Sequence, residues 1–143
     1  MFNAKVFRVR IASTGTILEE ERLARDIITK WSLHHGEQKG IVFMPLSKES
    51  DSFTPDIYIF VADSFIDERI VDAALAEDVP VIIFSRMSHD ICNSIPSEIK
   101  ALEEYREKMR VKCTWVEYDG EKKFEKSFIE SIEAFERRVK VFA

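Results

Sequence analysis

The octapeptide Asp56-Ile57-Tyr58-Ile59-Phe60-Val61-Ala62-Asp63 runs apolar and aromatic residues without a break between two acidic ones. A near-continuous run of this kind is what a strand buried on both faces of a parallel sheet requires. It predicts a central strand. Downstream, Val79-Pro80-Val81-Ile82-Ile83-Phe84 repeats the pattern, with Pro80 acceptable where a strand begins. Between the two runs, Ser64 to Asp78 holds a short helix with Ile70, Ala73 and Ala74 on one side. Upstream, Val6 to Ser13 predicts a first strand and Ile17 to His35 a helix, because Leu23, Ile27 and Trp31 recur at four-residue spacing. Gly36 and Gly40 bracket a turn into Ile41 to Leu46, the second strand. Pro96 opens a further helix through Ile99, Leu102, Tyr105 and Met109, with Glu98 at the positive end of its dipole. Val111 to Tyr118 alternates as a half-exposed edge strand does, and Asp119-Gly120 forms a turn. The last helix carries a stripe of Phe124, Phe128, Ile132, Phe135, Val139 and Phe142.

Strands alternating with helices predict a single α/β domain over 1–143, a three-layer fold with a five-stranded parallel sheet in the flavodoxin-like order 2-1-3-4-5. Ser47 to Pro55 is too short to hold the helix that ordinarily joins strands two and three, so part of one sheet face is expected to lie uncovered. Strand one agrees: Arg8 and Arg10 share a face, while Phe7, Val9 and Ile11 occupy the other. An apolar second strand beside an uncovered face suits self-association or a protein partner, unless the Ser47 to Pro55 loop folds over it.

Composition narrows the partners. The chain has 143 residues, and its 26 acidic against 21 basic side chains leave a net charge of −5 without a Lys/Arg cluster. Nucleic acid, whose binding depends on cations that displace counterions, is not an expected ligand. Apolar runs fall far short of the roughly 20 residues that span a bilayer, and the N-terminus has no signal-peptide core, so no membrane contact and a cytoplasmic location are expected. Cys92 and Cys113 lack a paired ligand motif and read as thiols.

In an open parallel sheet the ligand site lies beyond the carboxyl ends of the strands. That rule selects Ser13, Thr14, Gly15 and Thr16 after strand one, Asp63, Ser64 and Phe65 after strand three, and Ser85, Arg86 and His89 after strand four. Small hydroxylated residues and a glycine before a helix suit an anion, yet Thr16 with Glu19 also fits a capping box. Ser64 and Asp67 fit the cap of the third-strand helix. Arg86 can face an anion at the mouth or pair with Asp63, Asp67 or Glu20. His34 and His35 stand at the far end of the first helix, away from His89, and read as C-terminal capping residues. No cofactor or metal is demanded by these residues.

The run from Ser13 to Arg22 resembles the opening signature of a TIR-like family of bacterial domains of unknown function, close to S-S-T-F-x-D-L-x-x-E-R. Ser13, Thr14, Leu18, Glu21 and Arg22 match in register, while Ala12, Gly15 and Ile17 replace Ser, Phe and Asp. The resemblance implies a place beside TIR domains and nucleoside deoxyribosyltransferase-like proteins, several of which bind or cleave NAD or other nucleotides in signalling and defence. It implies a signalling or defence-associated module acting through protein interaction or self-association, with nucleotide binding as a further capacity. Cleavage in that group relies on a Glu about ten residues before the Pro of strand four. Counting back from Pro80 gives Ile70, with Glu68 two residues away and therefore rotated by about 200° on a helix. Either the register differs and Glu68 is the catalytic carboxylate of a glycosidic-bond hydrolase or transferase, or the domain binds without cleaving. Thr14, Gly15 and Thr16 are also similar to a flavodoxin phosphate loop, T-x-T-G-N-T, but one residue short of it, and no Trp or Tyr follows strands three and four to enclose a flavin.

Overall fold

The computed structural model describes residues 1–13, 18–46, 54–63, 66–86 and 96–142. Its elements are β1 (Lys5–Ser13), α1 (Leu18–Lys39), β2 (Ile41–Leu46), β3 (Ile57–Asp63), α2 (Glu68–Leu75), β4 (Val81–Arg86), α3 (Pro96–Lys112), β5 (Thr114–Tyr118) and α4 (Glu121–Phe142). The strands form one sheet in the order β2-β1-β3-β4-β5, and every pairing is parallel. This is the expected three-layer, doubly wound α/β architecture. Ile57, Ile59, Phe60, Val61 and Ala62 of the central strand are buried, as an unbroken apolar run dictates when both faces are covered.

Alternation along the strands sorts the core into two layers. Val9 and Ile11 of β1, Ile41 and Phe43 of β2, and Phe84 of β4 pack with Ile28 and Trp31 of α1 and with Phe124, Phe128 and Ile132 of α4. The α4 stripe meets β1 through Phe135, whose ring stands edge-on to Phe7 at 5.4 Å. On the opposite face Phe60, Ala62, Val81 and Ile83 pack with Ile66, Val71 and Ala74 around α2 and with Met109 of α3.

Several boundaries differ from the sequence reading. The first helix does not stop at His35 but continues through Gly36 to Lys39. Gly36 is a packing residue: an added Cβ would lie 3.1 Å from the Ile41 carbonyl oxygen and 3.2 Å from Val42 Cγ2, so a side chain there would require the start of β2 to give by a few tenths of an ångström. The turn falls instead to Gly40, whose φ of +70° L side chains rarely adopt. His34 and His35 are consequently not the capping residues. Strand β4 begins at Val81 rather than Val79, with the Pro80 carbonyl accepting from Tyr58 N at 2.9 Å. At the other end α3 extends through Val111 and Lys112, which the alternation had placed in β5. Val111 points to solvent, 88% exposed, so it was the strand-like spacing and not burial that misled.

The two edges of β2 are treated differently. Its inner edge pairs with β1. Its outer backbone is met by α1: Phe43 N donates to Ser32 Oγ at 2.9 Å, Ser32 Oγ donates to the Phe43 carbonyl at 3.3 Å, and Arg25 Nη1 donates to the Leu46 carbonyl at 2.9 Å. Pro45 has no N–H to offer. A strand whose outer groups are engaged in this way is a poor template for pairing with another chain. No helix occurs among the described residues between β2 and β3, and residues 47–53 lie outside them.

Candidate functional site

Parallel strands end at one edge of the sheet, and register decides which of their last residues meet. Asp63 of β3 pairs with Arg86 of β4, and Arg86 in turn with Tyr118 of β5. Around this row the charges are joined. Arg86 Nη2 donates to Asp63 Oδ2 at 2.8 Å, and Nη1 lies 3.6 Å from Oε1 of Glu20, a carboxylate only 8% exposed. The Asp63 hydrogen bond holds the guanidinium proton even more firmly than usual. Ser13 Oγ donates to Glu21 Oε2 at 2.6 Å, and Arg25 pairs with Glu21 at 3.3 Å. Of the pairings open to Arg86 in the sequence, the fold takes Asp63 and Glu20.

Tyr118 completes the row. Its side chain is buried, and its hydroxyl has no hydrogen-bond partner among the described residues. Burial first, and the nearby Glu20 carboxylate second, push its ionisation far above the ordinary phenol value, so the group is a neutral O–H donor at any physiological pH. The sequence offered Glu20 only as one of three acidic partners for Arg86 and did not single out Tyr118. Counting equal steps back from the ends of the fourth and fifth strands would have placed Tyr118 beside Arg86, but Glu20 looked like one of three equivalent acids in a first helical turn.

Glu68 has other company. At the start of α2 its Oε1 lies 2.8 Å from Lys108 Nζ and 3.6 Å from Lys112 Nζ, and Lys112 also bonds Asp72 at 2.9 Å. The Lys108 hydrogen bond holds the Glu68 carboxyl below its usual range. Among the described residues it pairs with α3 lysines rather than with the Arg86 cluster. The same helix is anchored by Tyr105 of α3, whose hydroxyl accepts from Ile66 N at 2.8 Å and donates to Ile66 O at 2.9 Å. Asp67 caps α2 by accepting from Arg69 N at 2.9 Å, as its sequence position predicts. Thr14, Gly15, Thr16, Ser64, Phe65, His89 and Cys92 lie outside the described residues. Cys113 is a free thiol pushed up to about 11 by burial. No group of His, Cys, Asp and Glu able to hold a metal ion occurs among the described residues.

Two grooves open on the partly covered side of the molecule. One, of about 590 Å³, runs between the sheet residues Arg10, Ala12, Tyr58 and Phe60 and, on the other wall, Asp67, the α2 residues Arg69, Ile70 and Ala73, and Glu77 in the turn after α2. On its floor the Tyr58 and Phe60 rings stack, 5.9 Å apart and 5° from parallel, and the Tyr58 hydroxyl bonds Glu77 and Arg10. The other, of about 460 Å³, surrounds the β2 edge and is lined by Phe2, Val6, Leu33, Val42 and Met44 among others. No helix of the described residues is long and apolar enough to cross a membrane.

The sheet order and the all-parallel pairing define a doubly wound α/β domain of flavodoxin-like order. No protein-family model matches the chain, and no curated protein matches it. Among solved structures it is similar to homoserine dehydrogenase from S. aureus, with a TM-score of 0.45 and 12% identity over 80% of this chain. The match spans 33% of that dehydrogenase chain.

Proposed function

We propose that the chain is a TIR-like interaction module that self-associates through the partly covered face of its sheet. One observation supports this above the rest: large apolar side chains stand exposed on and beside β1 and β2, with Val6 53%, Phe2 46% and Met44 42% accessible, and all three line the groove at the β2 edge. Exposed apolar residues gathered in this way mark interaction sites. The charged groups at the strand ends, by contrast, are largely bonded to one another, and Glu68 is engaged with Lys108. Measuring molar mass by light scattering across a concentration series tests the reading. A mass that rises toward twice 16.7 kDa is expected; a strict monomer at the highest attainable concentration sinks it.

A second reading, nucleotide binding or glycosidic cleavage at the strand ends, is favoured by a different observation, the buried Tyr118 hydroxyl without a partner beside Arg86. Orphaned buried donors are rare and often belong to a site for a ligand or water. Incubation with NAD and other nucleotides, following both thermal stabilisation and cleavage, tests it. Stabilisation lost in Arg86→Ala supports binding there, and cleavage lost in Glu68→Ala assigns the catalytic carboxylate. No stabilisation and no cleavage defeats this reading.

A further inference from the structure

We infer that α2 and α3 form a releasable strap, which opens from the sheet as one unit and is held down by ion pairs that salt loosens, while the α1–α4 layer stays closed.

The composition of α3 comes first. A helix in a folded domain ordinarily docks through an apolar stripe, and burial of that stripe supplies most of its stability. Of the 17 residues of α3, only Met109 is buried. On the closed face α4 withdraws Phe124, Phe128 and Ile132 from water. Charge takes the place of apolar burial in α3 and is arranged on two sides. Arg106 Nε and Arg110 Nη2 lie 3.2 and 3.3 Å from Glu117 Oε1 of β5, the strand at the sheet edge. Those pairs tie α3 to the body of the molecule.

On its other side α3 holds α2. Tyr105, Lys108 and Lys112 recur at intervals of three and four, so they share one face of the helix. They meet Ile66, Glu68 and Asp72 in that order: the Tyr105 hydroxyl bonds both backbone groups of Ile66, Lys108 Nζ lies 2.8 Å from Glu68, and Lys112 Nζ lies 2.9 Å from Asp72. The Tyr105 bonds are neutral, so salt leaves them in place and the two helices move together. By itself α2 has little purchase on the sheet. It has 8 residues, with Val71 and Ala74 buried, and among the described residues its side-chain bonds to another element run to α3. Segments with few buried apolar contacts open as cooperative units well below the energy of global unfolding. The α2–α3 pair is such a segment. Its release uncovers Phe60, Ala62 and Ile83, which Val71, Ala74 and Met109 otherwise cover. Ionic strength thereby governs how often this apolar face of the sheet is presented.

Hydrogen exchange of the full chain, at a protein concentration low enough to keep it monomeric, tests the strap. Between about 0.05 M and about 1 M NaCl the Debye length shrinks several-fold, so amides of Val71 to Leu75 and of Tyr105 to Lys112 are expected to exchange at least about three-fold faster, both by the same factor. Amides of β1, β3, α1 and α4 are expected to stay within about 1.5-fold, because their protection rests on apolar burial. Glu117→Gln keeps the side-chain shape and removes the charge that Arg106 and Arg110 hold. It is expected to speed both helices in low salt and to shrink their response to added salt. The inference is overturned if α2 and α3 respond by different factors, if neither responds, if every amide of the chain accelerates alike, or if E117Q keeps the full salt response. Should E117Q fail to fold, the salt series on the unaltered chain decides.

Discussion

The two faces of the sheet are made by alternate residues of the same strands, yet they are closed to different degrees. Under α1 and α4, two helices of 22 residues each, Val9, Ile28, Phe84, Phe124 and Phe128 are almost wholly withdrawn from water. On the other face the 17-residue α3 and the 8-residue α2 pack against β3 and β4, and among the described residues Arg10 and Ala12 of β1 line a groove. The contrast follows from connection length. A helix that packs on a sheet needs room for its turns and two loops, and among the described residues none stands between β2 and β3. Coverage of a parallel sheet is thus set by its connections as much as by the apolarity of its strands.

Removing one side chain from each face measures the contrast. Phe128→Ala in the closed layer is expected to cost about 3–5 kcal/mol, the usual loss for a buried aromatic ring, read as a lower denaturant midpoint. A cost under about 1 kcal/mol would mean that this layer is no better packed than the other. Next in size is Tyr105→Phe, which deletes the hydroxyl that both accepts from and donates to Ile66. Leaving a buried backbone group without its partner costs about 1–3 kcal/mol, and hydrogen exchange should show α2 opening before the α1–α4 layer. Uniform exchange would break the idea that α2 depends on this latch.

Smaller effects distinguish the edges. Tyr118→Phe removes a buried hydroxyl that has no partner, so the free protein should be unchanged or up to about 1 kcal/mol more stable. A clear loss of stability would show that the hydroxyl is bonded in solution. Met44→Asp on the open face should alter monomer stability by no more than about 0.5 kcal/mol, by thermal melting at low concentration. The smallest effect is that of the Glu68–Lys108 pair. Because Lys108 lowers the Glu68 carboxyl in the folded state, its contribution is present above the unfolded carboxyl value, about 4.3, and is lost as the pH falls through the lower folded value. Lys108→Ala should therefore lower the melting temperature slightly at pH 7 and not at pH 2. An equal loss at both would point to packing by the lysine stem.

The strands β3 and β4 were legible because an unbroken apolar run admits few other environments. Element ends were harder. Gly36 read as a stop because its role, clearance for β2, depends on a strand that arrives later in the chain. Val111 fitted the alternation of β5 but lies on the exposed side of α3. At the strand ends Asp63 and Arg86 were identifiable from the rule for parallel sheets and Glu20 was one of the partners open to Arg86, whereas Tyr118 was not, since its side chain carries no local sign of being drawn inward.

By itself, then, the sequence determined the α/β class, the parallel sheet and its order, because periodicity and connection length are properties of neighbouring residues. Only the tertiary structure decided that Arg86 pairs with Asp63 and Glu20, that Glu68 turns to Lys108, and that Arg69, Ala73 and Glu77 line one wall of an open groove. Those outcomes depend on strand register and on the distance between helices far apart in the chain. Both are fixed by how the whole core packs, not by any local stretch of it.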